Sequence, residues 1–191
     1  MFGRKRILAA AVAVACGAAT SAFAVDPPKM GVAAPADLIA LMDKSIPPDG
    51  AGLPAGQGTP KQGEAVFAQR CAACHGSRGE GATNDRLVGG QGTLTEEVTQ
   101  KTVGSYWQYA TTLFDYVRRA MPYDSPTSLK DDEVYGVVAY VLYLNGIIKD
   151  ADTMNAQTLP QVKMPNRDGF VNEWKEPAAT PARAPAATPA R

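Results

Sequence analysis

A Cys-x-x-Cys-His motif is the feature that most restricts what this 191-residue chain can fold into. It reads Cys71-Ala72-Ala73-Cys74-His75, and the spacing suits a redox dithiol, half of a zinc site or a covalent haem anchor. His75 is the one histidine of the sequence, and no second Cys-x-x-Cys pair is present to complete a four-ligand zinc site. The sequence therefore disfavours zinc.

The redox dithiol also fits the sequence poorly. A thioredoxin-type dithiol places its first cysteine at the N-terminus of a helix, among alternating strands and helices. Here the residues before Cys71 are predicted to form a helix that ends at the motif, and no strand pattern lies nearby. A c-type haem uses all three residues, because both thiols bond to the vinyl groups and the imidazole binds the iron. We therefore expect one covalent haem c, held by Cys71 and Cys74, with His75 as a metal ligand.

The second axial ligand follows from the histidine count. With one histidine in the chain, that ligand is methionine, another weak donor or nothing. Met121 follows an apolar, helix-like stretch and precedes Pro122, which ends a helix and lets the thioether hang from a loop. We predict Met121 as the second metal ligand, with Met164 in reserve. The alternative is an open sixth position, which would make the protein a haem enzyme or a small-ligand sensor.

Charge and the first residues of the chain bear on its partners and location. The sequence has 19 basic and 19 acidic residues, whereas nucleic-acid binders carry a basic surplus. Residues 1–24 combine early basic residues, a short apolar run and a small-x-small sequence that ends at Ala24. The apolar run is shorter than the about 20 residues that span a bilayer. We expect a signal peptide at 1–24, a periplasmic protein and no transmembrane span.

Composition divides the remaining chain into four predicted segments. These are an extended Pro/Gly-rich arm, a helical domain, an extension that packs on this domain and a disordered Pro/Ala-rich tail, at residues 25–58, 59–148, 149–176 and 177–191. A short helix is expected within the arm, near Asp37 to Met42. The domain has only about ninety residues, a size at which a core of side chains alone is marginal. We expect the haem to complete its core.

Three helices are predicted in the domain. The first starts at Thr59, as the cap, and runs to about Arg70, and the second covers residues 113–119. The last begins near residues 128–131, which resemble a capping box, and ends at Asn145-Gly146. Its apolar residues recur at helical spacing and predict one buried stripe: Val134, Val137, Val138, Val141 and Leu142.

With these elements the sequence resembles a class I cytochrome c. That family has an all-α fold in which an N-terminal and a C-terminal helix cross beside a covalent haem. Gly63, Phe67 and Tyr140 match the residues that meet at this crossing. The resemblance implies an electron-transfer protein rather than an enzyme. Many members have proline where this chain has Asp85, and the carbonyl there accepts the ring N–H of the proximal histidine; we expect the carbonyl of Asp85 to do the same.

A narrower resemblance concerns the function. Four segments are similar to cytochrome c subunits of molybdenum sulfite dehydrogenases and of the Sox-type sulfane dehydrogenase of thiosulfate oxidation: residues 49–54 with 58–59, 87–94, 104–107 with 109–122, and 163–170. Some sulfane dehydrogenase subunits carry two haems, and this chain, with one motif, resembles the single-haem members. The resemblance implies a protein that accepts electrons one at a time from a molybdenum catalytic subunit. It would pass them to a downstream cytochrome c or oxidase.

Further residues are predicted to contact the cofactor: Arg86, Leu87, Tyr106 and Trp107. The two aromatic residues either wall the haem, bond to a propionate or are ordinary core aromatics. Arg118 and Arg119 either balance propionate charge, dock an acidic partner or form a solvated face. The sequence leaves these alternatives open.

Overall fold

The computed structural model describes residues 31–172, and these fall into two units that divide between Met42 and Asp43. The first unit contains one described element, helix α1 (Ala36–Met42), where a short helix was predicted. The predicted signal peptide at 1–24 and the predicted tail at 177–191 lie outside the described residues. No helix between residues 31 and 172 is both long and apolar enough to cross a membrane.

The described part of the second unit, residues 43–172, contains four α-helices with short pieces of other structure. The helices are α2 (Pro60–Arg70), α3 (Ala72–His75), α4 (Ala110–Ala120) and α5 (Asp131–Leu144). Two 3-10 helices lie at Thr93–Thr95 and Leu159–Gln161. Strands β1 (Gln57–Gly58) and β2 (Met154–Asn155) form one antiparallel pair, in which Gln57 is opposite Asn155. This is an essentially all-α domain.

Helix α2 begins as the sequence predicts. Thr59 accepts the backbone N–H of Gln62 at 3.3 Å, and the Gln62 side chain accepts the N–H of Thr59 at 2.9 Å. Pro60 occupies the first position, where no hydrogen bond is lost because the N–H there has no partner within the helix. The helix ends at Arg70, immediately before Cys71. The cap therefore sets the start of the helix that leads into the motif.

The predicted cap of α5, Ser128, lies two residues before the observed cap, Lys130. The helix begins at Asp131, and the Glu133 carboxylate accepts the backbone N–H of Lys130 at 2.8 Å. Ser128 lies in the preceding turn, where its hydroxyl donates to the carbonyl of Ser125 at 2.7 Å. The Ser128 hydroxyl therefore stabilises the turn and does not cap the helix.

Helices α2 and α5 cross with their backbones in direct contact. A Cβ added to Gly63 would overlap the carbonyl of Gly136, so this approach requires glycine at position 63. One turn further along, the rings of Phe67 and Tyr140 pack with their centroids 5.4 Å apart. The predicted meeting of Gly63, Phe67 and Tyr140 is confirmed.

The core lies along α5. All five residues of its predicted stripe are buried, and they pack with residues of α2 and α4 such as Phe67, Leu113 and Phe114. Chain segments on both sides of the helical part add to this core: Ile46, Met154, Leu159, Val162 and Met164.

Residues 43–58 are held against the helical part by polar contacts as well. The Tyr135 hydroxyl, on α5, donates to the carbonyl of Pro54 at 2.9 Å, and the Asp132 carboxylate accepts the N–H of Gln57 at 2.7 Å. These contacts join segments that lie more than seventy residues apart in the chain.

Candidate haem site

A cavity of about 560 Å³ opens between the ends of α2, α4 and α5 and the loops that join them. Cys71, Cys74, His75 and Met121 all line it. Its apolar wall comes from helices and loops together: Phe67, Val103, Leu113, Val117, Val137 and Val141. The structure thus brings the four predicted anchor and ligand residues to one apolar cavity.

The Cys-x-x-Cys-His motif forms the one-turn helix α3 and the residue before it. The backbone N–H groups of Cys74 and His75 both donate to the carbonyl of Cys71, at 3.1 and 3.0 Å. This turn places both sulfurs and the imidazole on the cavity. Cys71 is half-buried, and burial raises the pKa of its thiol to about 11, an effect that Arg70 only partly offsets. A redox dithiol needs a lowered cysteine pKa, so the structure disfavours that interpretation.

His75 is held by the predicted backbone contact. Its Nδ1 lies 2.7 Å from the carbonyl oxygen of Asp85. A carbonyl only accepts, so Nδ1 carries the proton, and in the neutral imidazole this leaves Nε2 as the nitrogen that can bind a metal. This is the tautomer that a metal-binding imidazole needs, with its other ring nitrogen fixed by a hydrogen bond. The carbonyl of Asp85 makes this contact without a proline ring at that position.

Met121 is the residue that ends α4. Its N–H donates to the carbonyl of Val117 at 3.1 Å, but its own backbone is extended (φ −122°, ψ 150°), and the following peptide bond to Pro122 is cis. The chain leaves the helix at this point and Met121 lines the cavity. Met164, the reserve ligand, is 3% exposed in the core and does not line the cavity.

The residues present fit a covalently attached haem. The site offers two thiols, an imidazole whose Nε2 is unprotonated, a thioether and walls of aliphatic side chains. No group of three or more His, Cys, Asp or Glu side chains within residues 31–172 is arranged to hold a metal ion directly.

Comparisons with known proteins agree with this chemistry. The cytochrome c family model matches residues 60–145, from the start of α2 to the residue after α5. A chain in the crystal structure of the sulfane dehydrogenase SoxCD from Paracoccus pantotrophus is 35% identical, with a TM-score of 0.70. The match covers 86% of this chain and 85% of that one. The chain belongs to the cytochrome c family. A comparison with curated proteins found no match.

Membership of this family confirms the predicted class I cytochrome c fold and implies a covalently bound haem c. It also supports an electron-carrying role for the protein. The remaining side chains of the site can be placed on this basis.

Three of the four additional predicted contact residues line the cavity of this cytochrome: Arg86, Leu87 and Trp107. The prediction that Tyr106 walls the haem is corrected, because this residue does not line the cavity. Its ring packs edge-on against Phe170, with centroids 5.2 Å apart, and Asn166 donates to its carbonyl at 2.8 Å. Tyr106 therefore packs against the C-terminal extension. The next residue, Trp107, packs on Tyr116 at the cavity.

Arg118 and Arg119 do not line the cavity of this cytochrome either. Arg118 pairs with Asp131 at 3.1 Å, and Arg119 pairs with Asp115 one turn before it on α4. These pairs lie between helices or along one helix, so they disfavour a propionate role. Both arginine side chains are instead used in ion pairs within the described domain.

Several lining residues were not predicted from the sequence: Arg70, Lys101, Thr102, Tyr116 and Tyr123. The spacing of Leu113, Tyr116 and Val117, three and four residues apart, could have identified Tyr116 as part of the same helix face. No comparable pattern marks the others: Arg70 is the last residue of α2, and Lys101, Thr102 and Tyr123 lie outside the helices. Arg70, Arg86 and Lys101 make the rim of this cytochrome cationic, with Asp85 and Asp124 as the acidic residues among those that line it.

Proposed function

We propose that this cytochrome is a periplasmic single-haem electron carrier and not itself an enzyme. It accepts electrons one at a time from a molybdenum-dependent sulfite or sulfane dehydrogenase and passes them to a downstream cytochrome c or oxidase. The observation that carries the proposal is that His75 and Met121 line one apolar cavity beside two cysteines. Haem bound at this site would supply an iron centre that accepts and releases one electron at a time.

Each residue of the site has a defined task in this function. Cys71 and Cys74 would attach the cofactor covalently, and His75 would bind its iron through Nε2, because Nδ1 is occupied by the hydrogen bond to Asp85. Met121 would supply a thioether sulfur as a further ligand, which raises the reduction potential. The aliphatic wall excludes water from the iron. With His75 as the one histidine of the sequence, no second imidazole can act as an acid or base.

The cavity reaches the protein surface, which electron transfer requires. Tyr116 and Tyr123 line it and are 45% and 81% exposed. A cofactor held there is close to the surface on this side, while the aliphatic residues of α5 cover it on another. This arrangement suits brief contact with a redox partner more than enclosure of a substrate.

The choice of partner is supported by two similarities. Four sequence segments are similar to cytochrome subunits of molybdenum sulfite and sulfane dehydrogenases, and the similar crystal structure is that of a sulfane dehydrogenase. A dehydrogenase catalytic subunit is therefore the proposed electron donor. The signal-like sequence of residues 1–24 supports a periplasmic location, as expected for such a partner.

The axial ligands are tested by absorption spectroscopy of the oxidised full-length protein. A sulfur-to-iron band at the red end of the spectrum is expected for the wild type and for Met164→Leu, and it is expected to be absent from Met121→Leu. Met164→Leu is the matched control because it makes the same exchange at a methionine away from the cavity. A wild type that lacks the band and binds carbon monoxide readily when reduced would favour the open-site alternative.

The donor is tested by mixing oxidised cytochrome with a purified dehydrogenase and its substrate. Reduction is followed at the haem absorption, with a molybdenum sulfite dehydrogenase plus sulfite in one experiment and a sulfane dehydrogenase plus sulfane sulfur in another. Fast reduction in one experiment identifies the donor. The proposed partner would be refuted if neither dehydrogenase reduced a cytochrome that ascorbate reduces normally. The electron-carrier role would then still stand.

A further inference from the structure

Asn145 is the residue that follows α5, and its side chain is fixed on the end of that helix. The side-chain amide nitrogen donates to the carbonyl of Val141 at 2.9 Å, and the backbone N–H donates to the same carbonyl at 3.2 Å. Gly146 then takes a left-handed conformation (φ 68°), which ends the helix. The Asn145 side chain is thereby held rigidly at one position.

The same amide holds the loop that follows the haem motif. Its nitrogen donates to the carbonyl of Leu87 at 3.2 Å, and its oxygen accepts the N–H of Gly89 at 3.1 Å. The Gln91 side chain also donates to Asn145, at 3.3 Å to the backbone oxygen and 3.4 Å to the side-chain oxygen. Only an amide can donate to two carbonyls and accept from an N–H here, since a carboxylate has no proton to donate.

Gly104 leaves the space that the Asn145 and Gln91 side chains occupy. A Cβ added to Gly104 would overlap the side-chain oxygen of Asn145 and would lie 2.6 Å from the amide nitrogen of Gln91. The backbone at Gly104 therefore passes where a larger residue would displace both amides. The contact between Asn145 and the loop depends on this glycine.

The loop that Asn145 holds is continuous with Asp85, the residue that contacts the proximal ligand His75. Leu87 is two residues after Asp85, whose carbonyl accepts from Nδ1 of His75 at 2.7 Å. On the other side of Asp85, the N–H of Asn84 donates to the carbonyl of Cys74 at 2.9 Å. The N–H of Leu87 donates to Gly79 at 2.8 Å. Hydrogen bonds at Asn84 and at Leu87, on the two sides of Asp85, thus set the position of the Asp85 carbonyl. The Asn145 side chain makes one of the hydrogen bonds at Leu87.

We propose that Asn145 is a positioning residue for the proximal ligand. It holds the segment from Asp85 to Leu87 so that the Asp85 carbonyl keeps its hydrogen bond to His75. A hydrogen bond at Nδ1 makes the imidazole a stronger donor, which stabilises ferric iron and lowers the reduction potential. Asn145 therefore tunes the haem from the end of α5 without lining the cavity. This inference rests on the proposed ligation of iron by His75.

The test uses Asn145→Ala in the full-length, haem-loaded protein, with Asn155→Ala as the matched control. Asn155 lies in β2, away from the cavity, and its side-chain oxygen accepts the backbone N–H groups of Gln157 at 2.9 Å and Thr158 at 3.0 Å. Two quantities are measured: the deuterium exchange rate of the His75 ring N–H in the ferrous state by NMR, and the midpoint potential. Stability is measured for both variants so that simple loss of folding is accounted for.

Asn145→Ala is expected to speed exchange of the ring N–H by up to about tenfold, the factor that one lost hydrogen bond contributes. The potential is expected to shift upward. Asn155→Ala is expected to change neither, even where it lowers stability as much. If Asn145→Ala does not yield haem protein, Asn145→Asp is measured instead, because it keeps the acceptor for Gly89 and loses the donor to Leu87.

The outcomes separate this inference from the proposed function. A variant that is destabilised but keeps the wild-type exchange rate and potential would show that Asn145 only closes the helix. A wild-type ferrous protein without a haem-shifted His75 ring N–H resonance would instead contradict the ligation of iron by His75. Either finding would overturn the inference, and only the second would also count against the electron carrier.

Discussion

Gly63 and Gly136 bring the backbones of α2 and α5 into contact, and their two positions are not equivalent. A Cβ on Gly63 would overlap the carbonyl of Gly136, whereas a Cβ on Gly136 would lie 3.1 Å from the nitrogen of Gly63. The first contact cannot be relieved without moving a helix. The second is tight and can be relieved by a small shift. The crossing next to the haem cavity therefore depends mainly on Gly63.

We expect Gly63→Ala to destabilise the protein by about 1–3 kcal/mol, the usual cost of overpacking a core. Gly136→Ala is expected to cost less. Denaturant unfolding of the haem-loaded protein measures both, with Glu64→Ala, an exposed site on the same helix, as the control. Equal stabilities for Gly63→Ala and Glu64→Ala would contradict the crossing geometry.

Tyr135 is expected to make the stability of the protein depend on alkaline pH. Burial raises the pKa of its buried hydroxyl from 10.0 to about 12, with a smaller contribution from Asp131. A raised pKa favours the protonated form in the folded state, so this contribution is complete below pH 10 and is lost as the pH rises towards 12.

Tyr135→Phe should remove that part of the pH dependence. It should also cost about 1 kcal/mol at neutral pH, because the carbonyl of Pro54 loses its hydrogen bond. Unfolding free energies at pH 8, 10 and 11 measure both effects. Tyr143→Phe, at a residue that is 41% exposed, is the control. An unchanged alkaline slope in Tyr135→Phe would show that the hydroxyl is not the group responsible.

Arg86 and Arg118 are expected to differ in their effect on the haem. Arg86 lines the cavity, so replacing it with Ala removes a positive charge near the iron and should lower the midpoint potential. Arg118 pairs with Asp131 outside the cavity, so Arg118→Ala should leave the potential almost unchanged. Its cost in stability should be within about 1 kcal/mol, as for other partly exposed ion pairs. A larger shift in Arg118→Ala than in Arg86→Ala would reopen the propionate role of Arg118.

The protein without haem is expected to be poorly folded. Cys71→Ala/Cys74→Ala removes both covalent attachments and leaves a cavity of about 560 Å³ in a domain of about ninety residues, which is marginal without added apolar mass. Near-UV circular dichroism should lose its native signal in this variant, while the wild type retains it. A native-like spectrum and cooperative unfolding would show that the side chains suffice for a stable core.

Much of the fold could be predicted because its signals are local. Thr59 and Pro60 mark the start of α2, the aliphatic stripe marks α5, and Asn145-Gly146 marks its end. The start of α5 was misplaced because Ser128 suits a turn and a cap equally well. Helix α4 was predicted about three residues too short at its start, since Ala110 and Thr111 carry no distinctive helix signal even though both are buried.

The sequence by itself determined the haem-anchoring motif and its one available imidazole, because spacing and residue counts leave few other arrangements, and it favoured the methionine before Pro122 as the second ligand. Only the tertiary structure decided which side chains surround that anchor. Tyr106 turns to Phe170 while Trp107 faces the cavity, and the Asp85 carbonyl reaches His75 through a loop that Asn145 holds from α5. These contacts join residues far apart in the chain, and their geometry depends on how the helices pack. Local sequence patterns carry no information about such packing.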